Sequence, residues 1–212
     1  DGGRQAEVDH MGRELKILGD PVPSVPGKNI FLNLDVRLQN VADEAMSGQS
    51  GAVLIMNPKT GEIMGLASYP DFDPNLFSGG IDQGNWNSLL ENPENPLENK
   101  SIQGLYAPGS IFKVVTAYSG LDQSVISPED EQFCNGEFFV TGRTDPYKCW
   151  KEGGHGRVNM LDAIKGSCNV YFYNVGMEVG VDQMHKHART FGLGKITGIG
   201  LLNEKEGIIP SS

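Results

Sequence analysis

A chain of 212 residues with 38% hydrophobic content is long enough to bury one sizeable core, or one core and a small annex. Seventeen basic residues stand against 27 acidic ones, a net charge of −10, and no basic run forms a stripe complementary to phosphate, which excludes nucleic acid as the expected partner. The apolar runs are only a few residues long, which excludes a membrane span or a signal segment within the sequence.

The N-terminal third of the sequence is predicted to form mainly strands and one helix. Residues 1–27 carry three prolines and little periodicity, which indicates a strand remnant and a linker from a preceding domain. Residues 29–35 alternate apolar and polar side chains, as a half-buried strand does. Asp35 can cap a helix whose apolar positions follow one helical face, namely Leu38, Val41, Ala42, Ala45 and Met46. Two apolar runs around a turn at 57–61 predict a β-hairpin.

The remaining two thirds of the sequence are predicted to form a long loop followed by helices. The polar, Pro- and Asn-rich stretch from 69 to about 100 is typical of a functional loop. A helix is predicted to start at Ser110 and to end near Leu121. Further helices are predicted at 161–164 and 170–179, and the pattern then continues until Gly192 can end it. The expected fold class is mixed α and β, of the α+β type.

The stretch APGSIFKVV sets Ser110 and Lys113 one helical turn apart, so the lysine amine can reach the serine hydroxyl. A serine hydroxyl is a weak nucleophile until a base removes its proton, and lysine is such a base only when neutral. Burial and nearby positive charge must therefore lower the pKa of Lys113 well below its ordinary value. Taken alone, the pair is far more typical of a helix cap followed by a surface lysine than of a catalytic pair.

A second motif changes that balance. Residues 167–169 read SCN, a Ser-x-Asn motif between two predicted helices. The non-catalytic interpretation of this motif is a helix junction capped by Asn169. Ser-x-x-Lys followed by a Ser-x-Asn-like element is part of the signature of penicillin-binding proteins and class A β-lactamases.

Three longer stretches extend the resemblance, namely GAVLIMNPKTGEIMGLASYPDFDPN, NKSIQGLYAPGSIFKVVTA and GSCNVYFYNVG. In order and spacing they resemble the transpeptidase domain of class B penicillin-binding proteins, and the elongation type in particular. The resemblance covers nearly everything from Gly27 to Ser212. It implies a partial transpeptidase fold like that of serine β-lactamases, with a helical subdomain and part of an antiparallel sheet. We accordingly expect residues 28–212 to be the N-terminal portion of that domain.

One departure from the family pattern concerns the third motif. The sequence has one Lys-Thr-Gly, at 59–61, which precedes Ser110 and lies in the predicted hairpin turn, whereas the family's motif follows Ser-x-Asn. We interpret 59–61 as a coincidental match. The expectation is a chain that stops before the strand bearing the true motif, and that is slow or inert without half of its oxyanion hole.

The resemblance also implies a chemistry, that of a peptidoglycan D,D-transpeptidase. Ser110 would attack the carbonyl between the two terminal D-alanines of a stem peptide, with Lys113 as the base and Ser167 as the proton relay. Asn169 would hold the substrate backbone, and the amine of a neighbouring stem would accept the acyl group. β-Lactams would acylate Ser110 in the same way, and catalysis would need no cofactor.

The same resemblance implies the periplasmic side of the inner membrane, an upstream transmembrane anchor, and membrane proteins of the cell-elongation machinery as partners. Two other function classes stay open. A β-lactamase or carboxypeptidase would use the same serine and lysine but would deacylate rapidly with water. A β-lactam sensor or non-catalytic scaffold of the elongation machinery would keep the acyl group or never form it.

The cysteines raise a separate hypothesis, because Cys134, Cys149, His155 and Cys168 use every cysteine of the chain in the spacing C-x14-C-x5-H-x12-C. Three thiolates and one imidazole are a tetrahedral ligand set for structural zinc. The alternative is a Cys134–Cys149 disulfide with a buried free thiol at Cys168. The other histidines lack the spacing of a triad or a metal site and are predicted to lie on the surface, namely His10, His185 and His187.

Overall fold

The computed structural model describes residues 2–212, and the chain divides into two compact units. Of the described residues, 2–45 and 54–67 form the first unit, and 46–53 and 68–212 form the second. Within the first unit, strands β1 (Gly3–Val8) and β2 (Glu14–Val22) pair antiparallel. The stretch predicted as a strand remnant and linker thus holds two paired strands.

Helix α1 (Val36–Met46) begins where the sequence predicts it, because the carboxylate of Asp35 accepts a hydrogen bond from the Arg37 backbone N–H at 2.9 Å. The strand predicted just before this helix is wrong. Residues 29–34 belong to no strand of the described chain, and the side chains of Ile30 and Phe31 are exposed. Alternation supplies a side-chain pattern, but a strand also needs a neighbouring strand for its backbone hydrogen bonds.

The predicted hairpin forms, with strand β3 (Gly51–Met56) paired to strand β4 (Ile63–Tyr69). Its turn is closed by a hydrogen bond of 2.8 Å from the Gly61 N–H to the Asn57 carbonyl. Gly61 has a φ of 77°, a left-handed conformation that glycine adopts at little cost. The Lys-Thr-Gly tripeptide therefore lies in a tight turn, as expected.

The stretch predicted as one long loop is partly helical. It contains a 3-10 turn at Pro74–Phe77, helix α2 (Gln83–Glu91) and the short helix α3 (Lys100–Gln103). The Asp82 carboxylate caps α2 by accepting the Asn85 backbone N–H at 3.0 Å. Because α2 has no buried residue, it lacks the apolar periodicity that would have predicted it.

The second unit is built around four helices, α4 (Lys113–Asp122), α5 (Met160–Lys165), α6 (Asn169–Val179) and α7 (Val181–Thr190). These correspond to the helices that the periodicity predicts. Helix α4 packs against both α6 and α7. The side chains buried between them form the core, and include Val115, Ala117, Ile126, Val170, Tyr171, Phe172, Val175 and Ala188. Each of the large side chains contributes about 1.5–3 kcal/mol by leaving water.

Two small antiparallel sheets lie between α4 and α5. Strand β5 (Gln132–Cys134) pairs with β8 (Gly156–Val158), and β6 (Glu137–Phe138) pairs with β7 (Tyr147–Lys148). Pairing of β5 with β8 sets Cys134 opposite Gly156 and so brings two distant parts of the chain together. Among residues 2–212, no helix combines the length and apolar character that crossing a bilayer requires.

The surface position predicted for His187 is wrong, because the side chain is only 4% exposed. Met184 and Ala188 share the inward face of α7 with it at helical spacing, so residue 187 falls on that face whatever its polarity. Its two ring nitrogens instead lie within hydrogen-bond distance of Ser119 and Asp122 on α4.

Gly120 generates a stability prediction, because a Cβ there would lie 2.8 Å from Val175 Cγ1 and 2.9 Å from Ile126 Cγ1. We expect Gly120→Ala to destabilise the fold by about 1–3 kcal/mol through overpacking, although alanine is the better helix former. The matched control is Gly176→Ala on α6, where the nearest atom is the flexible Met184 side chain at 3.7 Å. Urea unfolding of both variants is the measurement, and equal stability of the two would contradict this account of the packing.

Candidate active site

Ser110 lies in a 3-10 turn, Gly109–Phe112, that leads directly into α4. Gly109 has a φ of 57°, so the chain turns sharply after Pro108 and presents the next residue at the mouth of the helix. Ser110 caps no helix, since the N-cap of α4 is Phe112. Its hydroxyl instead lies 2.9 Å from Ser167 Oγ and 3.3 Å from Lys113 Nζ. The simple capping interpretation of this serine is therefore wrong.

The Lys113 amine is the centre of the candidate site. Its Nζ lies 2.9 Å from Ser167 Oγ, 2.8 Å from the Ser167 carbonyl oxygen and 2.7 Å from Asn169 Oδ1. The Phe172 ring closes another side, with its centroid 5.9 Å away. The structure thus brings together all four residues that the sequence predicts, Ser110, Lys113, Ser167 and Asn169.

Burial lowers the pKa of Lys113 from its ordinary value, because removal from water disfavours the ammonium form. The negative charge available on Cys149 and Cys168 acts in the opposite direction but does not prevail. A lysine that serves as a general base must spend part of its time neutral, and this direction of shift favours that state.

Ser167 has a φ of 49°, a left-handed conformation that is uncommon for a residue with a side chain. This conformation turns both its hydroxyl and its carbonyl oxygen toward Lys113. The flanking backbone is held by hydrogen bonds from the Ser167 N–H to Ile164 at 3.1 Å and from the Cys168 N–H to Ala163 at 2.8 Å. Ser167 Oγ is thereby hydrogen-bonded to both Lys113 Nζ and Ser110 Oγ, and it connects the two side chains.

Asn169 is the first residue of α6, and its carboxamide joins two elements. The oxygen accepts from Lys113, and the nitrogen donates to the carbonyl of Lys148 on β7 at 3.1 Å. Because a carboxamide nitrogen carries two N–H donors, one of them remains for a bound molecule. Sequence reasoning missed the part played by Lys148, since a backbone carbonyl leaves no signal in the residue type.

The predicted cysteine and histidine set also comes together. The sulfur atoms of Cys134, Cys149 and Cys168 and a ring nitrogen of His155 all lie within 4.8 Å of one another. All three cysteines are free thiols, so the structure holds no Cys134–Cys149 disulfide. These four donors come from β5, the segment between β7 and β8, and the start of α6.

The His155 ring is oriented as a metal-binding imidazole is. Its Nε2 lies 3.1 Å from the Gly166 carbonyl oxygen, which can only accept, so Nε2 carries the proton. Nδ1 is then the bare nitrogen, and it faces Cys149 Sγ at 3.4 Å and Cys134 Sγ at 3.8 Å. A backbone carbonyl that fixes the tautomer in this way is the usual second partner of a metal-bound histidine.

The thiols of this cluster differ in acidity. Burial works against ionisation of Cys149, but backbone N–H groups, those of Lys151, Asn169 and Val170 foremost, outweigh it and lower the pKa to about 6. Burial and the neighbouring thiols raise the pKa of Cys168 to about 12. These shifts favour the thiolate at Cys149 and the neutral thiol at Cys168, whereas a bound divalent cation would favour the thiolate at both.

The transpeptidase domain of penicillin-binding proteins matches residues 51–212 of the chain. The chain belongs to this family. It is 39% identical over 210 residues to the peptidoglycan D,D-transpeptidase MrdA of Acinetobacter baumannii, covering 99% of this chain and 31% of that protein. It is 36% identical to MrdA of Escherichia coli, covering 99% of this chain and 33% of the relative. The chain thus spans about a third of the length of these curated relatives.

Solved structures of penicillin-binding proteins share the fold. The crystal structure of Pseudomonas aeruginosa PBP2 in complex with WCK 5153 has a TM-score of 0.81 and 35% identity, covering 91% of this chain and 41% of that one. The complex between PBP2 and MreC from Helicobacter pylori gives a TM-score of 0.82 and 35% identity, covering 99% of this chain and 39% of that one. These matches confirm the predicted mixed α and β transpeptidase fold.

The left-handed backbone of Ser167 leads to a prediction about stability. Both Ser167→Ala and Ser167→Gly lose the hydroxyl contacts, but only glycine removes the Cβ that disfavours this conformation. We expect the glycine variant to be the more stable by about 1 kcal/mol, the reverse of the usual order. The matched control is Ser78, whose φ is −66°, where alanine should be at least as stable as glycine. Chemical unfolding measures all four variants, and the usual order at position 167 would contradict the strain.

Proposed function

We propose that the protein is a peptidoglycan D,D-transpeptidase with Ser110 as its nucleophile, and that it acts in cell elongation. The observation that carries the proposal is the set of hydrogen bonds joining Ser110, Lys113 and Ser167, with separations of 2.9–3.3 Å between their side-chain polar atoms. The similarity to MrdA proteins and PBP2 structures supports the substrate class.

In the proposed acylation step, neutral Lys113 takes the Ser110 proton, either directly or through Ser167. The freed Ser110 oxygen attacks the carbonyl carbon between the two terminal D-alanines of a stem peptide. Ser167 then passes the proton to the departing amine, so the C–N bond breaks, D-alanine leaves and an ester on Ser110 remains. The amine of a second stem attacks this ester, and its proton returns by the same path to Ser110.

Asn169 has two parts in this proposal. Its carboxamide oxygen holds the Lys113 amine, and its second N–H is available to the backbone of the donor stem. The backbone N–H of Ser110, at the mouth of α4, is suited to donate to the oxyanion of the tetrahedral intermediate. We further propose that full activity requires a Lys-Thr-Gly element other than residues 59–61, because that tripeptide closes the β3–β4 turn.

The elongation role also implies a location and partners. The solved complex of Helicobacter pylori PBP2 with MreC supports a cell-elongation protein as a partner of this chain. A peptidoglycan synthase complex is another solved structure to which the chain is similar, with a TM-score of 0.78 and 31% identity, covering 99% of this chain and 39% of that one. We also propose that the protein acts on the periplasmic side of the inner membrane.

The acyl-enzyme chemistry can be tested by intact mass measurement under denaturing conditions after incubation with benzylpenicillin. We expect one adduct, mapped to Ser110, which Ser110→Ala abolishes. Lys113→Ala should lower the acylation rate by about 10²–10⁴-fold, because the serine loses its base. The control is Lys165→Ala, which removes an exposed lysine from α5.

The outcomes separate the proposed function from its rivals. An acylation rate unchanged by Lys113→Ala would contradict the proposed base. If no adduct forms, the same test is made on a longer chain that carries a Lys-Thr-Gly element after the Ser-x-Asn motif, and absence of an adduct on Ser110 there would contradict the proposed nucleophile. Rapid turnover of the β-lactam would instead indicate a hydrolase. A stable adduct without release of D-alanine from a stem-peptide substrate would indicate a sensor or scaffold.

We also propose that Cys134, Cys149, His155 and Cys168 bind one structural zinc ion. The support is the donor set, its separations within 4.8 Å and the orientation of the His155 ring. Zinc would supply no step of the reaction; it would tie β5 and the segment between β7 and β8 to the start of α6. Since Cys168 lies between Ser167 and Asn169, we propose that the metal holds the second catalytic motif in place.

Metal analysis tests this site on protein purified without a metal-affinity column. We expect one zinc per chain, and loss of that zinc together with slower β-lactam acylation in Cys168→Ser, because the motif loses its support. The control His185→Gln alters a histidine outside the cluster and should keep both the zinc and the rate. A Cys134–Cys149 disulfide without stoichiometric zinc would refute the proposal.

A further inference from the structure

The C-terminal half of α4 is joined to α7 through the buried side chain of His187. The imidazole Nδ1 lies 2.9 Å from Ser119 Oγ, and Nε2 lies 3.0 Å from Asp122 Oδ2. Ser119 is fully buried, whereas the Asp122 side chain is 43% exposed. One ring thus connects two positions one helical turn apart on the helix that begins with Lys113.

The hydrogen-bond donors and acceptors of this group determine how many protons the ring carries. The Ser119 hydroxyl has one hydrogen, and its oxygen lies 2.8 Å from the carbonyl oxygen of Val115, which can only accept. Ser119 therefore donates to Val115 and accepts from an N–H at Nδ1 of His187. An ionised Asp122 carboxylate also only accepts, so Nε2 carries a hydrogen as well. This hydrogen-bond pattern matches an imidazolium, which has a hydrogen on each ring nitrogen.

Several groups around the ring carry a full or partial negative charge. His187 lies beside the last turn of α4 and within the last turn of α7, and the C-terminal end of a helix carries partial negative charge. The Asp122 carboxylate adds a full negative charge. Of the other groups nearby, the Tyr118 ring packs perpendicular to the imidazole with the ring centroids 5.2 Å apart, and Arg189 is bonded to a backbone carbonyl. Burial opposes the charge, but the ring has a partner at each nitrogen.

We propose that His187 is a buried imidazolium clamp that fixes α7 to the C-terminal half of α4 and so positions the helix that carries Lys113. Helix α4 is then held at both ends, by the oxygens around Lys113 at its start and by His187 near its end. The clamp itself is independent of the proposed function. Its consequence for the reactivity of Ser110 rests on that function.

The protonation of the ring is measured by NMR of the purified folded protein with ¹⁵N-labelled histidine at pH 7. We expect protons on both nitrogens of His187, and loss of one of them in Asp122→Asn, which keeps an acceptor oxygen but removes the charge. A merely packed imidazole would keep one bare nitrogen in both proteins. A bare nitrogen in the unmodified protein overturns the proposal.

Thermal unfolding tests the clamp as a pairwise interaction. We expect His187→Gln and Asp122→Asn each to lower the melting temperature. Because both remove the same interaction, the melting temperature of the double variant should be no lower than that of the less stable single variant. Lys186→Gln is the matched control, since it removes a positive charge from the exposed face of α7 and should leave the melting temperature unchanged. Effects that simply add in the double variant would exclude the interaction.

Acylation by benzylpenicillin, measured well below the melting temperatures, tests the positioning role. We expect a several-fold slower reaction in His187→Gln and a rate near that of the unmodified protein in Lys186→Gln. An unchanged rate in a folded His187→Gln overturns the positioning role. If the unmodified protein fails to acylate even when the chain also carries a Lys-Thr-Gly element after the Ser-x-Asn motif, the proposed function is at fault. The NMR and unfolding results decide whether the clamp exists in either case.

Discussion

The arrangement of the candidate site depends on the need to satisfy the partly buried amine of Lys113. A lysine withdrawn from water must keep hydrogen-bond acceptors or lose its charge, and here the acceptors come from the junction between α5 and α6. That requirement determines the positions of Ser167 and Asn169, which supply three of the oxygen atoms. The same amine then lies within reach of Ser110, so structural support and proposed catalysis use one group.

The junction that supplies these oxygens is itself under constraint. Ser167 adopts a left-handed conformation, and such a residue persists only where its surroundings leave it no alternative. The adjacent Cys168 is completely buried and belongs to the cluster of sulfur and nitrogen donors. The candidate catalytic motif, residues 167–169, thus includes one residue of the candidate metal site, Cys168, and the backbone connects the two sites directly.

The sequence predicted some elements well and others poorly, for identifiable reasons. The helices α4, α6 and α7 bury one face, so their apolar side chains recur at helical spacing, and the β3–β4 hairpin has a turn with a required glycine. Helix α2 buries nothing and left no periodicity. Residues 29–34 had the alternation of a strand without a partner strand. The polarity of His187 suggested the surface, although its place in the helix put it in the core.

For the site, the residue types and their order along the chain were sufficient to identify the serine, the lysine and the Ser-x-Asn motif, and to group the three cysteines with His155. Those inferences need only the spacing of chemically distinctive side chains. The sequence could not determine that Lys113 is held by a backbone carbonyl, that Asn169 is joined to the backbone of Lys148, or that His187 meets Ser119 and Asp122. These contacts join residues far apart in the chain and depend on how the helices pack. Only the tertiary structure decides them, because backbone groups are the same in every residue and side-chain distances across a core follow from its packing.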